Sequence, residues 1–270
     1  MSTKEPSLCL QKNPLVYRKI NVGGCSKKKK ELRVSMTKFF LLYKHINKLG
    51  VENLATWVTH FRIAEAFLKK ELPISKNDFL VGNIGPDCGL IGKDGKPTPP
   101  KEITHFKIDG KINADSFYQQ YLQDEKELSL RAFSYYLGYY IHLVTDEKWI
   151  AFTNQKKKEK VFQEIINTPN YTPLVKRDWY GLDFLYLKNH KENIFWTTFQ
   201  HITDFPEYLN FFPKGQTNKQ IKNITNFYLN HTVSKDHKFI YLTPNESDEF
   251  VENTVQDVNH VLSQRMPQLV

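Results

Sequence analysis

The sequence predicts an all-α body, a multi-helix bundle, on three observations. Apolar residues recur at helical spacing in segment after segment from Trp57 onward, alternating strand patterns are nearly absent, and Gly- and Pro-rich stretches separate the helical segments. "THFRIAEAFLKKEL" places apolar residues at 61, 63, 64, 67 and 68, the stripe of an amphipathic helix. "SKNDFLVGNI" opens with Ser75 and Asp78 at capping-box spacing before another apolar turn. "GPDCGLIGKDGKPTPPK" is a loop by its glycines and prolines. "ADSFYQQYLQ" and the long segment from Leu128 to Trp149 follow as helices, then "YGLDFLYLKNH", "QIKNITNFYLNHTV" and the closing "SDEFVENTVQDVNHVLSQ".

A chain of 270 residues buries a full core, and one large domain over residues 54–270 is the expectation. The net charge of +9 is confined to residues 1–53, which carry twelve Lys and Arg against three Glu; the remainder is neutral. The body is therefore not a polyanion-binding surface, and no nucleic-acid partner is expected. Residues 1–53 lack a helical or strand period and have two readings. One is a disordered basic extension. The other is upstream DNA read in frame, with a TTG codon at Leu54 as the true start; only six of the 38 basic residues are Arg, which fits an A-rich genome.

Cys9 and Cys25 lie in that extension and leave Cys88 without a disulfide partner in the body. The longest apolar run, Ala132 to Thr145, is shorter than the ~20 residues that span a bilayer. No secretory signal is evident, and a cytoplasmic protein is expected.

Chemistry enters at "YYLGYYIHLVTDEKW", residues 135–149, where His142 and Asp146 interrupt an apolar helix. Residues four apart share a helix face, so both side chains point at one spot. A lone carboxylate in apolar surroundings needs a cation or donors. A His–Asp hydrogen bond inside a core satisfies that need, and so does a shared ligand. His60 at the start of the first amphipathic helix, Asp87 after Pro86 in the Gly-rich loop, and His105 in "EITHFK" are individually ordinary. Together with His142 and Asp146 they form a set of imidazoles and carboxylates of the kind that holds zinc. Five such ligands exceed what one tetrahedral ion takes, and a bridging carboxylate would divide them between two.

The segments "WVTHFRIAEAFL", "FLVGNIGPD", "THF" and "YYLGYYIHLVTDEKW" resemble the zinc-dependent phospholipase C family. That family shares its all-α fold with the N-terminal domain of glycosylphosphatidylinositol-specific phospholipase D and, more distantly, with zinc nucleases. The likeness runs from residue 57 to about 149 in one order, and its specific part is the His-x-x-x-Asp pair preceded by a G-x-I-x-P-D loop. It implies a phosphoesterase that hydrolyses a phosphodiester, such as a phospholipid at its headgroup, by a metal-activated water, on either side of the phosphate. It also implies Asp87, His105, His142 and Asp146 as ligands of one zinc, Asp146 as a bridge to a second zinc that His60 also binds, and Asp87 as general base.

Two departures from the family pattern stand out. Trp57 is internal, where the extracellular lipase has a terminal Trp whose amine binds metal, and no His after 146 is followed by Glu four positions on, which leaves a third zinc without ligands. Asp178 and Asp183 in "KRDWYGLDF" are candidate replacements as metal or substrate residues; on a regular helix they lie about 140° apart, so only one could face the site unless Gly181 breaks the helix, and capping beside core aromatics is the reading slightly favoured for both. A metal-stabilised helical scaffold without turnover, and a nuclease with aromatics that stack bases, are the rival functions. "GKDGK" at 92–96 lacks phosphate-loop spacing and reads as a polar turn. His190, His201, His231, His237 and His260 read as solvent or helix-end residues.

Overall fold

The computed structural model describes residues 54–92, 94–124 and 127–269; the expectations for residues 1–53 lie outside them. The described chain is a helical bundle. Its helices are α1 (Trp57–Leu68), α2 (Lys76–Gly82), α3 (Lys101–Thr104), α4 (Ala114–Tyr121), α5 (Leu130–Lys156), α6 (Lys160–Gln163), α7 (Tyr171–Asn189), α8 (Ile194–Thr197), α9 (Gln216–Asn230) and α10 (Pro244–Arg265). No helix among the described residues is long and apolar enough to cross a membrane.

The 27-residue α5 is the spine. Ser129 caps it by accepting from the Ala132 N–H, and from Ser134 to Asp146 nearly every residue is buried. A helix apolar on all sides must be surrounded by others. α1, α2, α4 and α10 all pack on it. Aromatic residues fill the spaces, with Trp149 held edge-on between Trp179 and Phe250 and Tyr139 stacked on Phe117.

Two glycines set the closest crossing. A methyl group on Gly82 would overlap the Tyr135 carbonyl oxygen, and one on Gly138 would overlap that of Phe79. The α2 and α5 backbones therefore touch, which brings the Asn83 carbonyl, just past α2, onto α5. Gly138→Ala is expected to destabilise the fold by about 1–3 kcal/mol or more, because backbone has little freedom to yield. A thermal midpoint within a degree of wild type would show that the crossing is not tight.

Local details depart from expectation for identifiable reasons. Ser75 starts α2, but its hydroxyl donates to the Asp78 carboxylate instead of accepting from backbone, so there is no capping box. Asp78 is buried with Arg131 and Tyr208 as further donors, and that cluster takes the serine. A full capping box does close the start of α10, where Thr243 and Glu246 exchange bonds and Pro244 fills the first helical position. α7 begins at Tyr171, nine residues before the expected start, and runs unbroken through Gly181. The loop between α2 and α3 contains a short 3₁₀ turn, Gly85–Cys88, and a hairpin in which Leu90 faces Thr98 and Ile91 faces Pro97. A second hairpin pairs Lys107 with Ile112 and Ile108 with Lys111; Asp109 and Gly110 turn it with φ of 50° and 74°. Cys88 is a buried free thiol.

Candidate metal centre

Four separate elements deliver five polar side chains to one place inside the bundle. His60 comes from the first turn of α1, Asp87 from the 3₁₀ turn, His105 from the end of α3, and His142 with Asp146 from adjacent turns of α5. His142 Nε2 lies 3.1 Å from Asp146 Oδ2, and His105 Nε2 lies 3.5 Å from the same oxygen. His60 Nε2 is 3.5 Å from Asp146 Oδ1, and His105 Nε2 is 3.6 Å from Asp87 Oδ1. The His60 and His142 rings stack at 3.7 Å.

Some atoms of these side chains are engaged by the surrounding chain, and others that face the cluster are not. His142 Nδ1 donates to the Asn83 carbonyl at 2.8 Å, which turns its Nε2 toward the centre. His105 Nδ1 meets the Thr104 hydroxyl at 3.0 Å, and the Thr104 carbonyl is held by the Tyr139 hydroxyl. The Ala55 N–H donates to Asp146 Oδ1. Both ring nitrogens of His60, Nε2 of His105 and of His142, and Oδ2 of Asp146 are buried without a hydrogen bond. Leaving one buried polar atom unpaired costs about 1–3 kcal/mol, so five in one spot call for a common partner.

A cation fits that description. Donors at 2.0–2.2 Å from a tetrahedral zinc stand roughly 3.2–3.6 Å from each other, and the contacts above span the same range. Two overlapping triads, His60 with Asp87 and His142, and His105 with His142 and Asp146, bring ligand atoms within 4.8 Å of one another. Protonation suits His60, His105 and the two carboxylates to metal. Burial pulls His60 down and His105 to about 4, keeping both imidazoles neutral. Burial alone would favour a protonated Asp146, but His142 and His60 beside it hold its carboxyl well below the usual range, and Asp146 in turn raises His142. At Asp87 burial is likewise opposed, by Lys101 together with His105 and His142, and the net effect keeps the carboxyl well below its usual range.

Asp178 and Asp183 are not brought to this centre. Asp178 is fully buried, with Oδ2 accepting from the Ile240 and Tyr241 N–H groups and Oδ1 facing His237 at 2.9 Å, so it pins the segment before α10. His237 is thereby a core partner and not the solvent residue expected. Asp183 accepts from the Thr56 and Tyr228 hydroxyls, and burial pushes its pKa up to about 7. His190 and His231 do sit at helix ends, each bonded to the carbonyl four residues earlier, while His201 and His260 are exposed. An open surface cavity lined by Ser75, Asp78, Arg131, His201 and Phe205 contains none of the five residues.

Sequence reasoning missed several supporting residues besides Thr104. Lys101 has its ammonium 3.4 Å from Asp87 Oδ1. Gln220 donates to the Asp87 carbonyl, and Gln216 donates to those of Cys88 and Thr98, so α9 clamps the loop that carries Asp87. Asn83 orients His142. One signal was available: Lys101 and His105 are four apart, as His142 and Asp146 are.

Residues 59–147 match the model of a family described as zinc dependent phospholipase C. The match encloses all five residues, beginning one before His60 and ending one after Asp146, and it shows the expected resemblance over that stretch. No curated protein and no solved structure matches the chain. The family match and the His/Asp groups able to hold a metal support a metal-dependent phosphoesterase in general terms, with zinc as a fitting ion.

Proposed function

We propose that His60, Asp87, His105, His142 and Asp146 hold two zinc ions divided by the Asp146 carboxylate, and that the protein hydrolyses a phosphodiester, a phospholipid being the substrate the family description suggests. The observation that carries this reading is the convergence of unpaired, buried ligand atoms on one point. The two faces of Asp146 support the division, since Oδ1 looks toward His60 and Oδ2 toward His105 and His142. Zinc held there would supply a water of pKa lowered toward ~7 and would draw charge from phosphoryl oxygens.

The chain's own residues do the rest. Asn83 and Thr104 fix the imidazoles, the surrounding bundle excludes bulk water, and Asp87, the one partly exposed member, is placed to take a proton from water in the opening. The charge of Lys101 weakens Asp87 as a base, so its two roles need separating. If Asp87 is the base, Asp87→Asn lowers turnover by about 10²–10⁴-fold with zinc retained. Loss of zinc in step with activity makes it a ligand only. His201→Ala, an exposed histidine outside the cluster, is expected to be silent. The test is a panel of lipid, nucleotide and chromogenic phosphoesters offered to the zinc-loaded full chain. Cleavage of a member supports the reading, and the preferred member separates lipase from nuclease. Cleavage of none leaves a metal-stabilised scaffold.

A further inference from the structure

The five side chains of the centre differ in access. His60, His105, His142 and Asp146 are 0% exposed, whereas Asp87 is 13% exposed, and beside it the Lys101 side chain is 8% exposed. The solvent-facing side of the cluster is therefore at Asp87 and Lys101. Lys101 opens α3, directly after Pro100, and its carbonyl accepts the N–H of His105, so one helical turn fixes the ammonium and that imidazole together.

Lys101 is incompletely satisfied. An ammonium has three donors, and the acceptor found for this one is Asp87 Oδ1 at the long distance of 3.4 Å. Holding a cation out of water with one long bond is unfavourable. Cations inside the centre would add like-charge repulsion and draw Asp87 toward themselves. An anion lying across the opening reverses both effects, because it accepts from the ammonium and faces the centre at once. Facing Asp87 Oδ1 are the Lys101 ammonium at 3.4 Å and His105 Nε2 at 3.6 Å.

Resting on the phosphoesterase reading above, we propose that Lys101 is the phosphate-binding side chain of this site. Its ammonium donates to a non-bridging oxygen of the substrate's phosphoryl group, so the substrate enters with its anionic phosphoryl oxygens toward the α3 side. The ligand class is an anionic phosphoester, and its inorganic product shares the same contact. Lys101→Arg keeps the donors and the charge and is expected to keep most of the affinity, while Lys101→Met keeps the length and loses both.

The experiment is calorimetric titration of inorganic phosphate into the zinc-loaded full chain, with zinc content measured for every protein. Wild type is expected to bind phosphate, Lys101→Met to bind it about 10–100-fold more weakly with zinc unchanged, and Lys101→Arg to recover at least half of that loss on a logarithmic scale. In turnover, Lys101→Met should raise KM for the best ester. Equal phosphate affinity in wild type and Lys101→Met overturns the assignment. So does a loss of zinc together with phosphate, which would make Lys101 a counter-ion of Asp87 alone. If Lys101→Met fails to fold, Lys101→Gln is read by the same criteria. A wild type that binds zinc and phosphate in a Lys101-dependent way but cleaves no ester removes the enzyme reading and leaves the assignment standing. A zinc-loaded wild type that binds no phosphate overturns it.

Discussion

Asp146→Asn is expected to release at least one zinc per chain and to bring turnover to background while the helical signal is kept. Asp146 is fully buried with three imidazoles around it, and its two oxygens face different members of the set. Asparagine preserves the shape and keeps one acceptor, but it removes the charge and turns one face into a donor aimed at a lone pair. Loss of an outer-shell partner of a metal site lowers affinity by about 10–100-fold, and loss of the shared ligand should exceed that. The Ala55 N–H keeps an acceptor if the amide oxygen turns toward it, so the fold at the start of α1 should survive. Zinc analysis of the purified variant checks this directly; full zinc content with full activity would mean that Asp146 merely bonds His142 in a core.

Chelation is expected to have the second large effect. The proposed ligands come from α1, the 3₁₀ turn, the end of α3 and α5, elements far apart in the chain, so metal binding by them and the packing of these elements would be one equilibrium. At free metal about a thousandfold above Kd, binding contributes roughly 4 kcal/mol. For a domain of this size that corresponds to a shift of about 8–16 °C in the midpoint. Scanning calorimetry of the full chain before and after stringent chelation, with zinc added back, measures it. An unchanged midpoint in protein shown to have lost metal would uncouple site from fold.

What the sequence disclosed and what it hid follow from range. The His142/Asp146 pair was legible because a four-residue spacing on a helix fixes a shared face whatever the tertiary fold. That α5 runs on to Lys156 and α7 starts at Tyr171 was not, since no strong stop or start marks either end. Pro173 falls in the first turn of α7, where its missing N–H costs nothing. The two hairpins have strands of two residues, too short for an alternating pattern to register.

Asp178 and Asp183 illustrate the opposite limit. Their angular separation on an unbroken helix was readable, and they do face different partners. Those partners, the backbone at Ile240 and Tyr241 and the hydroxyls of Thr56 and Tyr228, lie between 45 and 127 residues away, and no local pattern names them. The same holds for Gln216 and Gln220, whose hold on the Asp87 loop spans more than a hundred residues. Lys101 follows two prolines, and nothing local to it indicates Asp87, against which the fold places it.

The most direct test of the central claim is anomalous scattering at the zinc edge from crystals of the full chain grown with zinc. The account predicts two peaks inside the bundle, bound at about 2.0–2.2 Å by atoms of His60, Asp87, His105, His142 and Asp146, with Asp146 shared between them. A map without a peak among these five side chains, or with zinc held by other residues, would contradict it.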